Sequence, residues 1–458
     1  TMSTPSVNRF NKHWISLLVL TLSPMTQLAH GADGDLDINF GGTGIVSGAE
    51  VTPDGQAPIV YHRVSSRVFP DGSVAISGTR PHVITKYLPD GNLDANFGSG
   101  GSTEAPLGPY GHAGTGLVRS HTGDLFSMAA ATDDQNNLSV VICRFSADGQ
   151  PAVFSATNTQ CVDHLLGIAN LDWPNDLAID ASGGIVVVGL RGQIVRFNAD
   201  GSADQGIGPN GIYVVTPLNM NDLFHYTESI EIEGDAIYLT GWLEEENVKT
   251  NGIIHKFRLQ PDAEPTRDPD FNQGNYVLVP CGATDTSTCV LRDSALYSNS
   301  IVATGFGQFS AVFGTVVRLD KTSGEIAPIV SVLVFTAGPT TNADLRSIAA
   351  QSNGDFVVAG ILRADPNAVD LDRLVVARVR AGCTVPYDSG FGSNGWVALP
   401  FAIDRDSMGT SVAIGNGRLY AAGYTYMNGP IVESIAAFEN SVAFSDGIFA
   451  HDFELPCE

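Results

Sequence analysis

One short phrase recurs along this chain. It opens with a basic residue and an aromatic or apolar one, continues through an Asp-Gly turn, and closes with D-x-x-F-G and a further glycine. It reads KYLPDGNLDANFGSGG at residues 86–101 and RFNADGSADQGIGPNG at residues 196–211, and its first half alone stands at residues 144–149 as RFSADG. Proline fixes φ, and Asp and Gly tolerate tight geometry, so the phrase predicts strand, turn, strand, turn. A unit repeated in tandem limits the chain to a closed or stacked array.

Two further markers count the units. A hairpin whose second strand is short, apolar and mostly ends in glycine occurs seven times, at residues 71–78, 122–129, 182–189, 233–241, 299–305, 353–360 and 416–423. A basic residue follows each hairpin at Lys86, Arg144, Arg196, Lys256, Arg318 and Arg378, and is lost in the seventh copy at Ala437. The D-x-x-F-G element is recognisable at Asp37, Asp94, Asp204, Asp268 and Asp388. Residues 150–155 and 325–330 stand in its place in the third and sixth copies.

The spacing is about 57 residues, with four short strands to a unit: the two of the hairpin, the basic strand and the D-x-x-F-G strand. One such meander cannot bury both its faces alone. The expectation is an all-β chain, a seven-bladed β-propeller of mostly four-stranded repeats, whose closure protects the sheet edges. An open β-solenoid is the alternative, and its coils are usually shorter than these units. Closure should bring residues 37–46 beside residues 434–438.

Residues 1–31 read as a signal peptide. Arg9 and Lys12 precede nine apolar residues at 14–22, and small residues at Ala29 and Gly31 suit cleavage. The propeller is assigned to residues 32–443 and a tail to residues 444–458. Losing the leader removes two cations and no acids, taking the net charge from −25 to −27. Such a surface repels phosphate backbones, which argues against nucleic acid as a partner. No stretch reaches the length of a transmembrane helix. A secreted monomer, extracellular, periplasmic or at the cell surface, with an unknown protein or glycan partner is expected.

Behind a signal peptide, six cysteines point to disulfides. Six cysteines allow fifteen pairings and sequence alone selects none; proximity favours Cys281 with Cys289, and Cys143 with Cys161 and Cys383 with Cys457 are further candidates. The basic residue lies eight positions ahead of the D-x-x-F-G acid in two copies. That spacing predicts ion pairs between Lys86 and Asp94 and between Arg196 and Asp204. Arg144 and Arg318 face no such acid and need other acceptors.

With these markers the chain resembles the delta-60 repeat family over residues 33–440, most closely at residues 71–78, 86–101 and 196–211. The resemblance implies a secreted, propeller-like bacterial repeat protein and no established catalytic residues. Residues 448–454 are also similar to an I-F-x-x-x-F-E ending of secreted bacterial proteins.

Asp33, Asp35, Asp37 and Asn39 alternate like the start of a calcium loop, but Ile38 and Gly44 occupy the positions where an EF-hand needs Gly and Glu. Turn-forming carboxylates are the better reading, and calcium is the one cofactor left open. No H-E-x-x-H, nucleophile elbow or phosphate loop is present. The residues that recur all have structural explanations, so a non-catalytic binding or scaffold module is expected. The polar, acidic residues at 281–289 and 362–372 suit partner contact. A metal-dependent propeller hydrolase, lyase or lactonase is the alternative.

Overall fold

In the computed structural model the described residues are 31–51, 63–78, 82–107, 111–135, 137–168, 173–215, 222–245, 250–279, 288–308, 312–327, 331–333, 342–363, 371–380, 387–415, 417–426 and 431–442. They form seven antiparallel meanders, or blades, with no α-helix. Blade 1 runs Ser65–Val68, Val74–Ser77, Val83–Tyr87, Ser102–Glu104, and blade 2 runs Gly111–Arg119, Leu125–Thr132, Asn137–Phe145, Cys161–Ile168. Blade 3 comprises Pro174–Ile179, Ile185–Gly189, Gln193–Phe197 and Tyr213–Val214. In blade 4, Asp222–Glu233, Ala236–Glu245 and Thr250–Arg258 are followed by a divided fourth strand, Thr266–Arg267 and Val277–Val279. Blade 5 is Thr288–Tyr297, Ser300–Gln308, Val312–Asp320, Ser331–Leu333, and blade 6 is Asn342–Ala350, Asp355–Arg363, Arg373–Arg380, Trp396–Leu399. One parallel pairing, Thr250 with Thr288, joins blades 4 and 5.

Blade 7 is assembled from both ends of the described chain. Asp406–Gly415, Arg418–Tyr426 and Ile431–Glu439 supply three strands, and Ile45–Val51 supplies the fourth. Ile45 faces Ala436 and Ser47 faces Ser434, with a bridge from Leu36 to Phe438. The first strand of each blade touches the first strands of both neighbours, blade 7 with blade 1 included. The seven blades therefore close into a ring around their first strands.

The second strands read as unbroken apolar runs because both their faces are covered. All four residues of Val74–Ser77 are buried, with Val74 and Ile76 in the layer shared with blade 7 and Ala75 in the layer shared with blade 2. Phe356 and Val358 point to blade 5, whereas Val357 and Ala359 point to blade 7. The period-two pleat thus serves two inter-blade layers from one strand. Among the described residues, each adjacent pair of blades shares one such apolar layer.

The D-x-x-F-G element is a turn, which corrects the expectation of a strand. In each of five copies the Asp carboxylate accepts a hydrogen bond from the backbone N–H two residues on, at 2.9–3.1 Å. That local bond, an Asx turn, holds the backbone out of the extended form. The aromatic three positions on is fully buried at Phe40, Phe97, Phe271 and Phe391, as is Ile207. Phe154 fills the same role in the third copy without an acid. In blades 1, 3 and 6 the fourth strand begins only after the closing glycines, and in blade 4 the turn divides it, with Thr266–Arg267 before and Val277–Val279 after.

The same turns bind one blade to the next. The amide of Gly41 donates to Asp90 O at 2.8 Å, that of Gly98 to Asp148 O at 2.7 Å, and that of Gly392 to Asp33 O at 2.8 Å. The Asp-Gly turn of one blade therefore rests on the Phe-Gly turn of the blade before it. Gly91 has φ +82°, and a Cβ there would lie 2.3 Å from the Gly41 nitrogen.

Each basic residue sits beneath its turn. Lys86 Nζ is 2.9 Å from Asp94, and Arg196 Nη1 is 3.1 Å from Asp204 with Nε 2.7 Å from Asp180. Lys256 lies 3.0 Å from Asp268, and Arg378 pairs with Asp388 and, at 2.6 Å, with Asp33. Arg144 takes Asp124 at 2.6 Å, and Arg318 Nε donates to Ser300 Oγ at 2.8 Å. Where the seventh copy has Ala437, Arg418 of the adjacent strand pairs with Asp37. The cation has moved one strand over and kept its acid.

Cys143 and Cys161 are disulfide-bonded across the third and fourth strands of blade 2, at a sequence separation of 18. Cys289 is also disulfide-bonded. Cys281, Cys383 and Cys457, the leader and the C-terminal tail lie outside the described residues. Closing a loop of this length stabilises by about 3 kcal/mol. A Cys143→Ala/Cys161→Ala variant is expected to lose that amount in urea unfolding, and an unchanged midpoint would remove the cross-link from the account of stability.

Candidate functional site

Several first strands carry a β-bulge, and the bulge decides what the channel contains. The register slips at Asn175, Glu228, Arg292, Arg346 and Thr410. An extra residue on one strand bends it and re-aims its side chain. In blades 4 to 7 the residue before the slip pairs with a glycine inside the second strand, which runs three or four residues beyond the glycine that was expected to end it: Thr227 with Gly241, Leu291 with Gly305, Leu345 with Gly360, Gly409 with Gly423. A Cβ at any of these four glycines would lie 1.8–2.2 Å from a first-strand carbonyl oxygen. The glycine that marks the repeat is thus the steric partner of the bulge.

The bulged residues of different blades meet. Arg63, just ahead of blade 1, pairs with Glu228 of blade 4 and reaches Asn175 O of blade 3 at 3.4 Å. Arg292 of blade 5 donates to Glu228 Oε1 at 2.8 Å and lies 3.7 Å from Asp344 of blade 6. Arg346 holds the other oxygen of Asp344 at 3.1 Å. Arg63, Glu228, Arg292, Asp344 and Arg346 form one alternating chain of charge. Burial disfavours ionised Asp344, but Arg346 and Arg292 outweigh it and hold the carboxyl below its ordinary range. Burial works against the Arg292 cation as well, and Glu228 and Asp344 reverse it.

The two signs are not equally accessible. The arginine side chains are 30, 26 and 21 % exposed at Arg63, Arg292 and Arg346, against 5 % at Glu228 and 4 % at Asp344. The carboxylates are nearly inaccessible, whereas the arginine side chains are each partly exposed, with the Arg292 Nε buried. Beside them Tyr226 and Trp242 stack in parallel, ring centroids 3.7 Å apart and planes 11° apart, each half-buried. The indole Nε1 donates to Glu228 Oε1 at 3.3 Å. Arg292 also lies over the Phe306 ring at 5.4 Å.

Residues next to the bulges stitch the inner strands together. Asp176 accepts from Ile230 N at 3.0 Å, Asp293 from Ile348 N at 3.0 Å, Ser347 from Val412 N at 3.1 Å and Ser411 from Ser66 N at 3.1 Å. Desolvation raises the pKa of Asp176, and raises Glu231 well above the carboxylate range with help from the charges on Asp293 and Asp176. The same burial, with Asp176 nearby, pushes Asp293 up to about 7. The folded state thus binds this proton more tightly than the unfolded chain, whose value is 3.8. The stabilisation is complete below pH 3.8 and is lost as pH rises through 7. A carbon-13 titration of the Asp293 carboxyl should show its midpoint near 7, and a midpoint near 4 would contradict the burial argument.

The predicted ion pairs belong to the scaffold at the rim where third strands turn into fourth, and the channel charges are a separate set that the repeat markers did not reveal. The Asp33 series does not converge. Asp33 binds Arg378 and Ser441, Asp35 caps Ala32 N, and Asp37 binds Arg418 and Asn39. Among the described residues no group of three or more His, Cys, Asp or Glu side chains is placed to hold a metal ion.

No protein-family model matches the chain, and no curated protein matches it. Among solved structures it is similar to virginiamycin B lyase from Staphylococcus aureus, at 16 % identity over 85 % of this chain and 99 % of that one, with a TM-score of 0.41. It is also similar to the C-terminal WD40 domain of Sif2, at 9 % identity over 86 % of this chain and 98 % of that one, with a TM-score of 0.44. A subtype N11 neuraminidase-like protein of a flat-faced bat strain shares 8 % identity over 72 % of this chain and 88 % of that one, with a TM-score of 0.39.

Proposed function

We propose that the protein is a secreted, non-catalytic binding module that meets a protein or glycan partner. The observation that carries this reading is the alternating chain from Arg63 to Arg346. Its members neutralise and position one another, which is the arrangement of a preorganised recognition surface rather than of a poised base and nucleophile. The recurring acids and cations are occupied in the turns between blades. A disulfide and the resemblance to the delta-60 repeat family support export. Among the described residues no helix is long and apolar enough to cross a membrane.

A second reading, a propeller hydrolase, lyase or lactonase, is favoured by one observation. Asp176, Glu231 and Asp293 share the channel with raised pKa values, and perturbed acids cluster at active sites. The bonds that Asp176 and Asp293 accept from neighbouring blades give two of these acids a structural role. Purified protein should leave ester, lactone and glycan substrates intact, with melting unmoved by calcium or zinc. Turnover abolished by a chelator would overturn the binding reading, and a mature chain that starts well before Ala32 would overturn the export route.

A further inference from the structure

The three partly exposed arginines and the adjoining aromatic stack define a ligand chemistry. We propose that Arg63, Arg292 and Arg346 receive the carboxylate of an acidic saccharide, with the Tyr226–Trp242 stack offering an apolar face to its sugar ring. This rests on the binding reading above and names the ligand class for it.

The argument begins with what is buried and what is not. A cation chain whose acids were exposed would present a mixed surface. Here Glu228 and Asp344 are nearly inaccessible, whereas the Arg63, Arg292 and Arg346 side chains keep 21 to 30 % of their surface. Each buried acid holds two arginines, Glu228 between Arg63 and Arg292 and Asp344 between Arg292 and Arg346. The forks are therefore oriented before any ligand arrives. A guanidinium presents five donors, and the acids engage only part of that set. Planar, fixed donors suit a planar two-oxygen anion, and Arg is the side chain matched to it.

The aromatic pair narrows the anion to one carried by a ring. Trp242 and Tyr226 stand directly opposite each other on adjacent strands and stack face to face. Trp242 is anchored by its Nε1 bond to Glu228, the acid that also holds Arg63 and Arg292. Stacking face and guanidinium forks are thus tied to one carboxylate, so a pyranose ring bearing a carboxylate can touch both. A free anion would use only the arginines.

Calorimetric titration of the full chain with a galacturonic-acid trimer, its methyl ester and sodium acetate tests this. The trimer should bind, with the ester weaker by about tenfold or more because it loses the charged hydrogen-bond partner, and acetate weaker by about tenfold or more because it brings no ring to the aromatic stack. Arg63→Gln and Arg346→Gln should each weaken the trimer by about ten- to a hundredfold. Arg346→Lys, which keeps charge and loses the fork, should fall between wild type and Arg346→Gln. Trp242→Phe should weaken the trimer severalfold more than it weakens acetate. Unchanged melting of the Arg346→Lys variant shows that the loss is one of recognition. A trimer that fails to bind, binds no better than acetate or its ester, or binds independently of Arg63 and Arg346 overturns the proposal. Trimer binding accompanied by cleavage upholds the site and overturns the non-catalytic reading instead.

Discussion

Replacing Asp204 by alanine is expected to destabilise the protein by about 3 kcal/mol, more than most single substitutions, because it removes one of the two acids that balance a buried cation. Arg196 is 2 % exposed and its partner's side chain is wholly inaccessible. Asp180 at 2.7 Å, the Ser182 hydroxyl at 2.8 Å and the Asn198 amide oxygen at 2.6 Å complete its surroundings. Asp204→Ala leaves the guanidinium short of one acid. Arg196→Met leaves two acids without their cation. The double variant should lose less than the sum, since Asp180 still accepts from Ser182 N and Gly184 N at 2.8 Å each. Urea unfolding of the four proteins gives the coupling, and a value within about 0.5 kcal/mol of zero would show two independent residues.

The second large effect is steric. Gly91→Ala should cost about 2–5 kcal/mol, combining a left-handed backbone with a collision across the blade boundary. The obstructing atom is the Gly41 nitrogen, main chain of the strand-exchanged segment, and it cannot rotate aside. Gly100→Ala is the control. Its φ is +67°, but nothing lies within 4 Å of the added carbon. It should cost only the strain, about 1–2 kcal/mol. Equal losses for the two would show that the blade boundary adjusts and that the close approach does not select glycine.

Much of the architecture was legible because it repeats. The blade number, the hairpins and the closing partners of residues 37–46 follow from motifs that seven units share. The turn character of D-x-x-F-G was missed because an acid two positions ahead of a bonded amide looks, in sequence, like any polar residue in a strand. Arg418 was missed because it replaces a lost cation from another strand, which only pairing can show. The channel charges escaped for a different reason. Each blade places a different side chain at its bulge, Asn175, Glu228, Arg292, Arg346 or Thr410, so a search for recurrence averages them away. The available signal was the recurring glycine of the second strand, whose missing Cβ announces a bulge opposite and hence an inward-aimed residue.

The strand that completes blade 7 also sets an order of events during synthesis. Ile45–Val51 leaves the ribosome before every other described strand, and its partner Ile431–Glu439 leaves last. Asp33 and Ser441, bonded in the finished ring, stand 408 positions apart. At about 5–20 residues per second, the first strand waits tens of seconds with an unpaired edge. Six blades can assemble as they emerge, each on the one before, because their contacts are local. The seventh cannot begin to close until the chain is nearly finished. During that interval a neighbouring nascent chain offers the same last strands, so ring closure competes with exchange between copies.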